Sequence, residues 1–461
     1  MKEVVIIGGG IAGLSAAYYL GKKRPDVQIT LVEKEARFGG KIKTKRVGDF
    51  CVELGPDSYL ARKYAMTELI EEVGLGDKIV PNATGQSYIF DQGKMYPIPG
   101  GSIIGVPTEV LPFATSPLFT MKGKLEALGD VNKKPFKPEE DVSMGEFFVY
   151  HLGQEVVDQL IEPLLSGVYG GSMYELSMDS SFPEIRAMEK KHGNLLKGML
   201  ALKLERDKSE VKHESQFRQL LGGLEALIDA ILEKMPNNVA LHPNTEVLHI
   251  TEQEDGVRVT LSSAMGEEER VVDALVLALD PWAYRAWWGE EEAFSWLTEM
   301  DMSSVAIAVM AFDKEKFRRK LEGTGFLLTR RTEGLMTACT YISTKWPEAA
   351  PTDKVVLRVF LGRPGDDRVE TLSEEELIEI AVKEISETLS IEVAPEWVEL
   401  IALPFSMPQY KVGHGDRVAT WKEHMREHYP HVYCIGTAFD GVGMPDGVRQ
   451  AKAVAEIIAK Q

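Results

Sequence analysis

The residues best placed to do chemistry are a run of glycines near the start of the chain. Gly8, Gly9, Gly10, Ile11, Ala12 and Gly13 include no nucleophile, acid or base. What they offer is backbone. Gly8 permits a sharp turn, Gly10 lets the main chain approach a pyrophosphate, and Gly13 lets a helix pack close to a strand. Glu33 lies 20 residues beyond Gly13, close to the ~20 at which a carboxylate meets a ribose hydroxyl. The chemistry predicted is dinucleotide binding.

The elements that must position these groups are legible on both sides. Residues 4–7 are a β-branched run that reads as a buried strand. Residues 14–20 follow at helical spacing, so a helix N-terminus presents free N–H groups and a partial positive charge to the phosphates. Residues 29–32 form a second apolar run that ends in Glu33. Lys34, Arg37, Gly39, Gly40 and Lys41 come next, a basic, glycine-rich loop that can reach the same phosphates from the other side. The pattern Glu33, Arg37, Gly39, Gly40, Lys41 resembles the second fingerprint of the FAD-binding amine oxidase and porphyrinogen oxidase superfamily.

The bulk composition narrows the classes. A chain of 461 residues predicts two or three domains. With 44% hydrophobic and 27% charged residues it reads as globular. A net charge of −19, with no long basic block, excludes nucleic acid as a partner. Cys51, Cys339 and Cys434 are odd in number and far apart, so neither a disulfide framework nor a zinc site is expected. That cysteine usage fits a reducing compartment. The most apolar long stretch, 98–119, carries Pro99, Pro107, Pro112, Pro117 and Glu109, so no transmembrane helix is expected. The apolar N-terminus reads as strand and helix, not as a signal peptide, and the expected location is cytoplasmic. His424, Glu427 and His428 match an H-x-x-E-H spacing. Their neighbours are densely charged, so a solvated helix is expected and no metal.

Along the chain, residues 50–58 read as a strand ending in the turn Gly55, Pro56, Asp57, Ser58, with Arg62 and Lys63 close behind. Residues 87–90 and 94–98 read as a hairpin around Gln92 and Gly93, 99–117 as irregular, and 122–140 as a loop on a helical insert. Ser143 and Glu146 form a capping-box pair. The stripe that follows, Phe147, Leu152, Val156, Leu160, Ile161, Leu164 and Leu165, reads as core. Residues 163–171 read as a breaker-rich exit from that helix, 190–214 as a solvated helix and loop, and 217–232 as an amphipathic helix. Strands are predicted at 239–241, 246–251, 257–261 and 271–279. Four more, at 305–312, 325–329, 336–342 and 355–361, suggest a mostly antiparallel sheet, and 374–389 a helix. A last strand, 432–436, runs into Gly436, Val442, Gly443, Met444 and Pro445, which open a helix to 458. This repeats the strand, glycine turn and helix of the N-terminus.

Segments 163–171 and 408–414 carry the resemblance further. Together with the two N-terminal fingerprints, Gly55 to Ser58 and Gly436 to Pro445, they are similar to the HemY-type porphyrinogen oxidases. The resemblance implies an α/β fold with a discontinuous Rossmann-like FAD-binding domain (1–55, 215–290, 425–461). It implies a mixed-sheet substrate domain (56–110, 291–424) and a helical domain of the membrane-facing type (111–214). It implies non-covalent FAD held by the glycine run, the 33–41 loop, the 55–58 turn, a backbone group near Val247 and the 436–445 segment. The implied reaction is the oxidation of coproporphyrinogen III by dioxygen to coproporphyrin III and hydrogen peroxide, in haem biosynthesis, with protoporphyrinogen IX as the alternative substrate. Hydride then leaves a bridging carbon for the flavin, and no catalytic side chain is demanded. Arg62, Lys63, Arg330 and Arg331 are the candidates to meet the substrate propionates. The pathway implies transient contact with a ferrochelatase, and membrane contact is peripheral at most. A Trp close to Leu403 would be expected in such a relative, where this chain has Leu403, Pro404 and Phe405. An amine oxidase, a carotenoid desaturase or a non-catalytic Rab GDP-dissociation-inhibitor type of binding protein would share the fold.

Overall fold

A computed structural model describes residues 1–137, 140–208 and 216–461; parts of the predicted 122–140 and 190–214 segments lie outside the described residues. The chain divides into two compact units. One comprises Met1–Pro81, Gln216–Asp301 and Asp416–Gln461; the other comprises Asn82–Ser215 and Met302–Gly415.

The first unit is built on a five-stranded parallel sheet. Its spatial order is Val239–His242, Gln28–Val32, Glu3–Ile7, Ala274–Ala278, Val432–Ile435. The continuous apolar run at 4–7 has a direct cause. Val4 and Ile6 face one core, which holds Leu14, Ala17, Val448, Ala451 and Ala455 from the helices Ile11–Lys23 and Met444–Ile458. Val5 and Ile7 face another, which holds Val257, Val259, Trp288 and Phe294. A strand buried on both faces has no polar alternation to show. The antiparallel meander Glu246–Gln253, Gly256–Ser263, Gly266–Val272 feeds that second core.

Two sequence expectations fail in this unit. The predicted strand 271–279 is two strands. Gly266–Val272 belongs to the meander and Ala274–Ala278 to the parallel sheet. The break falls at Asp273, whose carboxylate accepts the N–H groups of Lys2 and Glu3 at 2.5 and 2.8 Å. The predicted helix 217–232 begins as a strand, Phe217–Leu220, paired with Tyr59–Leu60 and Ile79–Pro81. The chain turns through Gly222 and Gly223, both at positive φ, before the helix Glu225–Glu233.

The second unit joins a sheet to a helical cluster. The seven-stranded sheet runs Trp397–Pro408, Met302–Asp313, Lys354–Leu361, Met336–Tyr341, Gly325–Leu328, Tyr88–Asp91, Lys94–Pro97. Every pairing is antiparallel except Gly325–Leu328 with Tyr88–Asp91. Helix Glu374–Leu389 closes over it, capped by Ser373 and Glu376. In the helical cluster Phe147, Leu152, Val156, Leu160 and Ile161 are fully buried, so the predicted stripe is core. The stripe is carried on four pieces. Helix Met144–Leu152 ends at Gly153, a short helix covers Gln154–Val156, a π turn covers Val157–Ile161, and helix Glu162–Tyr169 follows. The predicted exit, 163–171, holds the true one, but its first part stays helical: residues 163–169 belong to helix Glu162–Tyr169. The exit is Gly170 at φ +64°, where a Cβ would lie 2.5 Å from Ser303 Oγ. Residues 110–115 and 121–128, expected as irregular chain and loop, are helices. The predicted solvated helix 190–214 is in part core, since Leu195 and Met199 of helix Leu195–Lys208 are buried.

The helical cluster also buries charge. Asp130, His151 and Glu189 are fully inaccessible and Arg186 nearly so. His151 Nδ1 lies 2.6 Å from Asp130, and its Nε2 lies 3.4 Å from Glu189. Arg186 is 3.9 Å from Glu189, with its guanidinium over the rings of Phe136 and Phe147. Asp130 also accepts Leu196 N–H, and Glu189 accepts Phe136 N–H. Among the described residues no helix is long and apolar enough to cross a membrane.

Candidate functional site

The glycine run turns off the end of strand Glu3–Ile7, and each glycine answers a different demand. Gly8 sits at φ +100°, with its Cβ direction blocked 2.4 Å away by Ala278 O. Gly13 is tighter still, because a Cβ there would lie 1.8 Å from Gly8 O. Gly9 faces the Phe38 ring and Glu33. Gly10 is unlike the others: its φ is an ordinary −71°, and among the described residues nothing beyond its own chain neighbours lies within 4 Å of where a Cβ would stand. Protein packing explains the other three glycines, but not Gly10. Open space beside it is what a close-approaching ligand requires.

Gly10 also caps helix Ile11–Lys23, with no side-chain acceptor and no acid in the first turn. The N–H groups at this end, including those of Ile11 and Ala12, keep their positive field for an anion. Glu33 closes the site from the next strand. Its carboxylate accepts Gly9 N–H at 2.6 Å and Glu35 N–H at 2.8 Å. These two bonds hold it rigidly and leave lone pairs for hydroxyl donors. The residues present therefore fit a dinucleotide.

The basic loop plays a different part from the one its charges suggest. Gly39 N–H donates to Gly9 O at 2.8 Å, and a Cβ on Gly40 would lie 3.2 Å from Gly10 Cα. The loop thus lies against the glycine run. Arg37 points inward, donating to the carbonyls of Phe38, Gly40 and Ile42 at 2.6–3.1 Å. It staples the loop's backbone. Lys34 pairs with Glu246 at the surface. Lys41 pairs with Asp280 at 2.7 Å, just past the end of strand Ala274–Ala278. Gly55 is required by packing, since its Cβ would meet Lys41 O at 1.8 Å. After Pro56, the Asp57 carbonyl accepts from Gln219, and Ser58 Oγ donates to Asp57. Val247 is buried beside a break in register of its strand.

The C-terminal segment arrives at the same end of the sheet. Helix Met444–Ile458 packs on Ile11–Lys23 so closely that a Cβ on Gly447 would lie 3.4 Å from Ala12 Cβ. The first turns of the two helices are neighbours, which brings Val442, Gly443, Met444 and Pro445 toward the glycine run. Gly436, at φ +130°, is pinned by the Gln450 amide, which accepts its N–H at 3.0 Å and donates to its carbonyl at 3.2 Å. Asp446, 7% exposed, accepts from Gly443 N–H and from Lys63 Nζ at 2.5 Å. Asp446 and Gln450 escaped the sequence reading. The partners of Gln450 lie 14 and 10 residues back in a loop, whereas Asp446 carries a local signal that went unused, an acid three residues after the helix-capping Gly443.

Of the residues proposed to meet propionates, Arg62 is exposed and Lys63 is engaged by Asp446. Arg330 pairs with buried Glu162, and Arg331 with Asp91 at 2.6 Å. Burial raises the Glu162 carboxyl, against the pull of Arg330. The three cysteines are free thiols. His424 and His428 stack ring on ring, 4.3 Å apart.

A parallel nucleotide-binding sheet with an open glycine turn, joined in one chain to an antiparallel sheet, places the protein among flavin-dependent oxidoreductases. The chain belongs to the flavin-containing amine oxidoreductase family, whose model matches residues 11–459. Its relatives narrow the likeness. It is 39% identical to the coproporphyrinogen III oxidase of Staphylococcus aureus (strain NCTC 8325 / PS 47), over 99% of this chain and 98% of that one. It is 37% identical to the coproporphyrinogen III oxidase of Bacillus subtilis (strain 168), over 98% and 97%. A solved structure of a provisionally named protoporphyrinogen oxidase from Exiguobacterium sp. 255-15 matches 100% of this chain and 99% of its own, with TM-score 0.88 and 37% identity.

Proposed function

We propose that this chain is a cytoplasmic oxidase that holds FAD non-covalently and oxidises coproporphyrinogen III to coproporphyrin III in haem biosynthesis, passing electrons to dioxygen and releasing hydrogen peroxide. The observation that carries the cofactor part is the open space at Gly10, beside an uncapped helix N-terminus and the oriented Glu33. The substrate part rests on the full-length likeness to coproporphyrinogen III oxidases.

Bound flavin supplies the hydride acceptor for a bridging carbon of the macrocycle, whose cation is stabilised by the flanking pyrroles. The protein's tasks are to bind, orient and exclude water. Gly10 and the N–H groups of Ile11 and Ala12 receive the pyrophosphate, and Glu33 receives a ribose hydroxyl. Arg37 keeps the 39–41 loop in place. Gly55 to Ser58 and Gly443 to Pro445 form the wall toward the ring, and Val247 serves the adenine end. Arg62, Lys63, Arg330 and Arg331 meet propionates, the last three by exchanging a protein carboxylate for a substrate one. We also keep the helical segment 111–214 as a domain of its own, with contact at a membrane surface peripheral and contact with a ferrochelatase transient.

The test is a pair of aerobic assays read by porphyrin fluorescence, one with coproporphyrinogen III and one with protoporphyrinogen IX, each against an enzyme-free control. A yellow protein that prefers the first supports the proposal. The Exiguobacterium likeness favours protoporphyrinogen IX as the second reading, and preference for that substrate would install it. A yellow protein inert on both would refute the substrate assignment, and a colourless one the flavin assignment.

A further inference from the structure

Five non-glycine residues among those described take a positive φ, and two of them are bulky, Ile104 and Phe405. A bulky side chain in this region is strained, because its Cβ crowds the neighbouring carbonyl. Packing compensates Ile104, which lies against the core of the helical cluster. Phe405, at φ +49°, has no such compensation. It is 53% exposed and, among the described residues, belongs to none of the apolar cores.

Strain and exposure both oppose this side chain, yet the backbone is built to hold it. Strand Trp397–Pro408 is an edge of the seven-stranded sheet. Ser303 pairs with Met407 and Val305 with Leu403, so Ser304 alone faces Pro404, Phe405 and Ser406. A bulge of this kind bends its strand and re-aims a side chain. Phe405 N–H donates to Ser304 Oγ at 2.9 Å, which fixes the strained residue. Edge strands use bulges and prolines to discourage further pairing. Gly or Asn at 405 would complete that bend without strain. Edge protection therefore explains the bulge and Pro404, but not a phenyl ring at its tip.

The neighbours of the bulge, all within the second unit, indicate what the ring meets. Ser303 Oγ donates to Tyr169 O at 3.3 Å, and Gln409 Nε2 reaches the same carbonyl at 2.8 Å. Gly362 comes so close that a Cβ there would lie 2.6 Å from Ser304 O. Arg363 follows in the chain. Its Nη2 donates to Met336 O at 3.0 Å, and Glu162 and Arg330 lie within electrostatic reach of its charge. Its Nε is buried and makes no hydrogen bond among the described residues. Ser304 thus joins an exposed phenyl ring to a pair of guanidiniums, Arg363 and Arg330. A porphyrinogen has the matching composition, a broad apolar macrocycle of pyrroles with carboxylates at its rim. Aromatic rings favour offset or edge-on contact with one another.

We infer that Phe405 is a substrate-binding residue, whose ring packs on the pyrroles of the porphyrinogen while a rim propionate is directed to Arg330 and Arg363. The inference rests on the porphyrinogen reading. The bulge holds the ring ready in the free protein, so its ordering is not a further cost of binding. The strain is of the kind that persists at a ligand clamp.

The test compares wild type with Phe405→Asn and Phe405→Tyr, each purified as the full chain. Affinity for the stable product coproporphyrin III is read by fluorescence titration. Turnover of coproporphyrinogen III, melting temperature and flavin content are measured beside it. Asn accepts a left-handed backbone, so Phe405→Asn is expected to melt at or above wild type and to keep its flavin. It should nonetheless bind coproporphyrin III about tenfold more weakly, the loss of an aromatic contact. KM should rise by a similar factor with kcat nearly unchanged, since a contact made equally before and during reaction is lost. Phe405→Tyr, which keeps the ring, should retain wild-type affinity. Phe405→Asn that binds as tightly as wild type would overturn the inference, and a lower melting temperature with that result would assign the ring to packing. Equal loss of affinity in Phe405→Tyr would also overturn it. Wild type that neither binds coproporphyrin III nor oxidises its porphyrinogen would refute the porphyrinogen reading itself, an outcome seen before any variant is compared.

Discussion

Gly10 and Gly13 are both glycine, but only Gly13 is required by packing, and that difference lets the proposed binding role of Gly10 be tested apart from folding. A methyl group at Gly13 would be driven into Gly8 O, 1.8 Å away. Gly13→Ala is therefore expected to cost more than about 4 kcal/mol, the range reserved for gross steric conflict. A methyl group at Gly10 meets no atom of the described residues within 4 Å beyond its own chain neighbours. Gly10→Ala is expected to fold with a stability within about 0.5 kcal/mol of wild type, yet to purify with little flavin. Urea unfolding and the flavin absorbance per protein measure the two effects. A Gly10→Ala protein with full flavin would refute the cradle. His151 offers a test by pH. Burial alone would lower its pKa, but hydrogen bonds to Asp130 and Glu189 outweigh burial and raise it. A raised folded value means that its stabilisation is complete below the unfolded pKa of about 6.5 and is lost as pH rises through the folded value. Melting temperature is therefore expected to fall on the alkaline side. His151→Gln, which leaves Asp130 without its cation and Glu189 with Arg186 alone, should be destabilised by about 3–5 kcal/mol at neutral pH and should lack that slope. Parallel curves for the two proteins would contradict the assignment. The roles of the glycines were open to sequence reasoning because their spacing is local. Asp130, His151 and Glu189 were not, since a buried charge cluster looks like scattered surface polarity until the fold assembles it.

At the scale of elements, caps and turns speak clearly because they are chemistry within a few residues. Ser143 Oγ accepts Glu146 N–H at 3.1 Å, and the Glu146 carboxylate accepts from Ser143 in return. Ser143→Ala is expected to cost about 1 kcal/mol, read as a lower denaturation midpoint at unchanged slope. No change would mean that Ser143 does not hold the start of helix Met144–Leu152. The Gln92-Gly93 hairpin was readable for the same reason: both residues sit at positive φ, and Asp91 pairs with Lys94. Residues 217–220 were misread because Phe217, Leu220, Leu221 and Leu224 imitate helical spacing. Their true partners, at 59–60 and 79–81, are more than a hundred residues away. The run at 271–279 was misread because apolar character reports burial, not sheet membership. Only the capture of two N–H groups by Asp273 marks where one sheet ends.

For the whole molecule, the predicted α/β fold with its parallel nucleotide sheet is the fold observed. What could not be read was the order of the strands. Residues 4–7, 29–32 and 274–278 announce burial on two faces, but nothing in a strand names its neighbour. Binding ties the cofactor to the stability of this unit. FAD that binds only the folded chain should add about 2.7 kcal/mol at a free concentration of 100 Kd. The melting temperature of flavin-stripped protein is expected to rise stepwise as FAD is added. A melting temperature indifferent to FAD would show that the open site at Gly10 is not its site.

The central claim is that a porphyrinogen delivers electrons to a flavin held by this chain. Mixing the yellow protein with coproporphyrinogen III in the absence of oxygen tests it most directly. Flavin absorbance is expected to bleach as porphyrin fluorescence rises, and the yellow colour to return on admitting air. A flavin that stays oxidised in the presence of coproporphyrinogen III would contradict it.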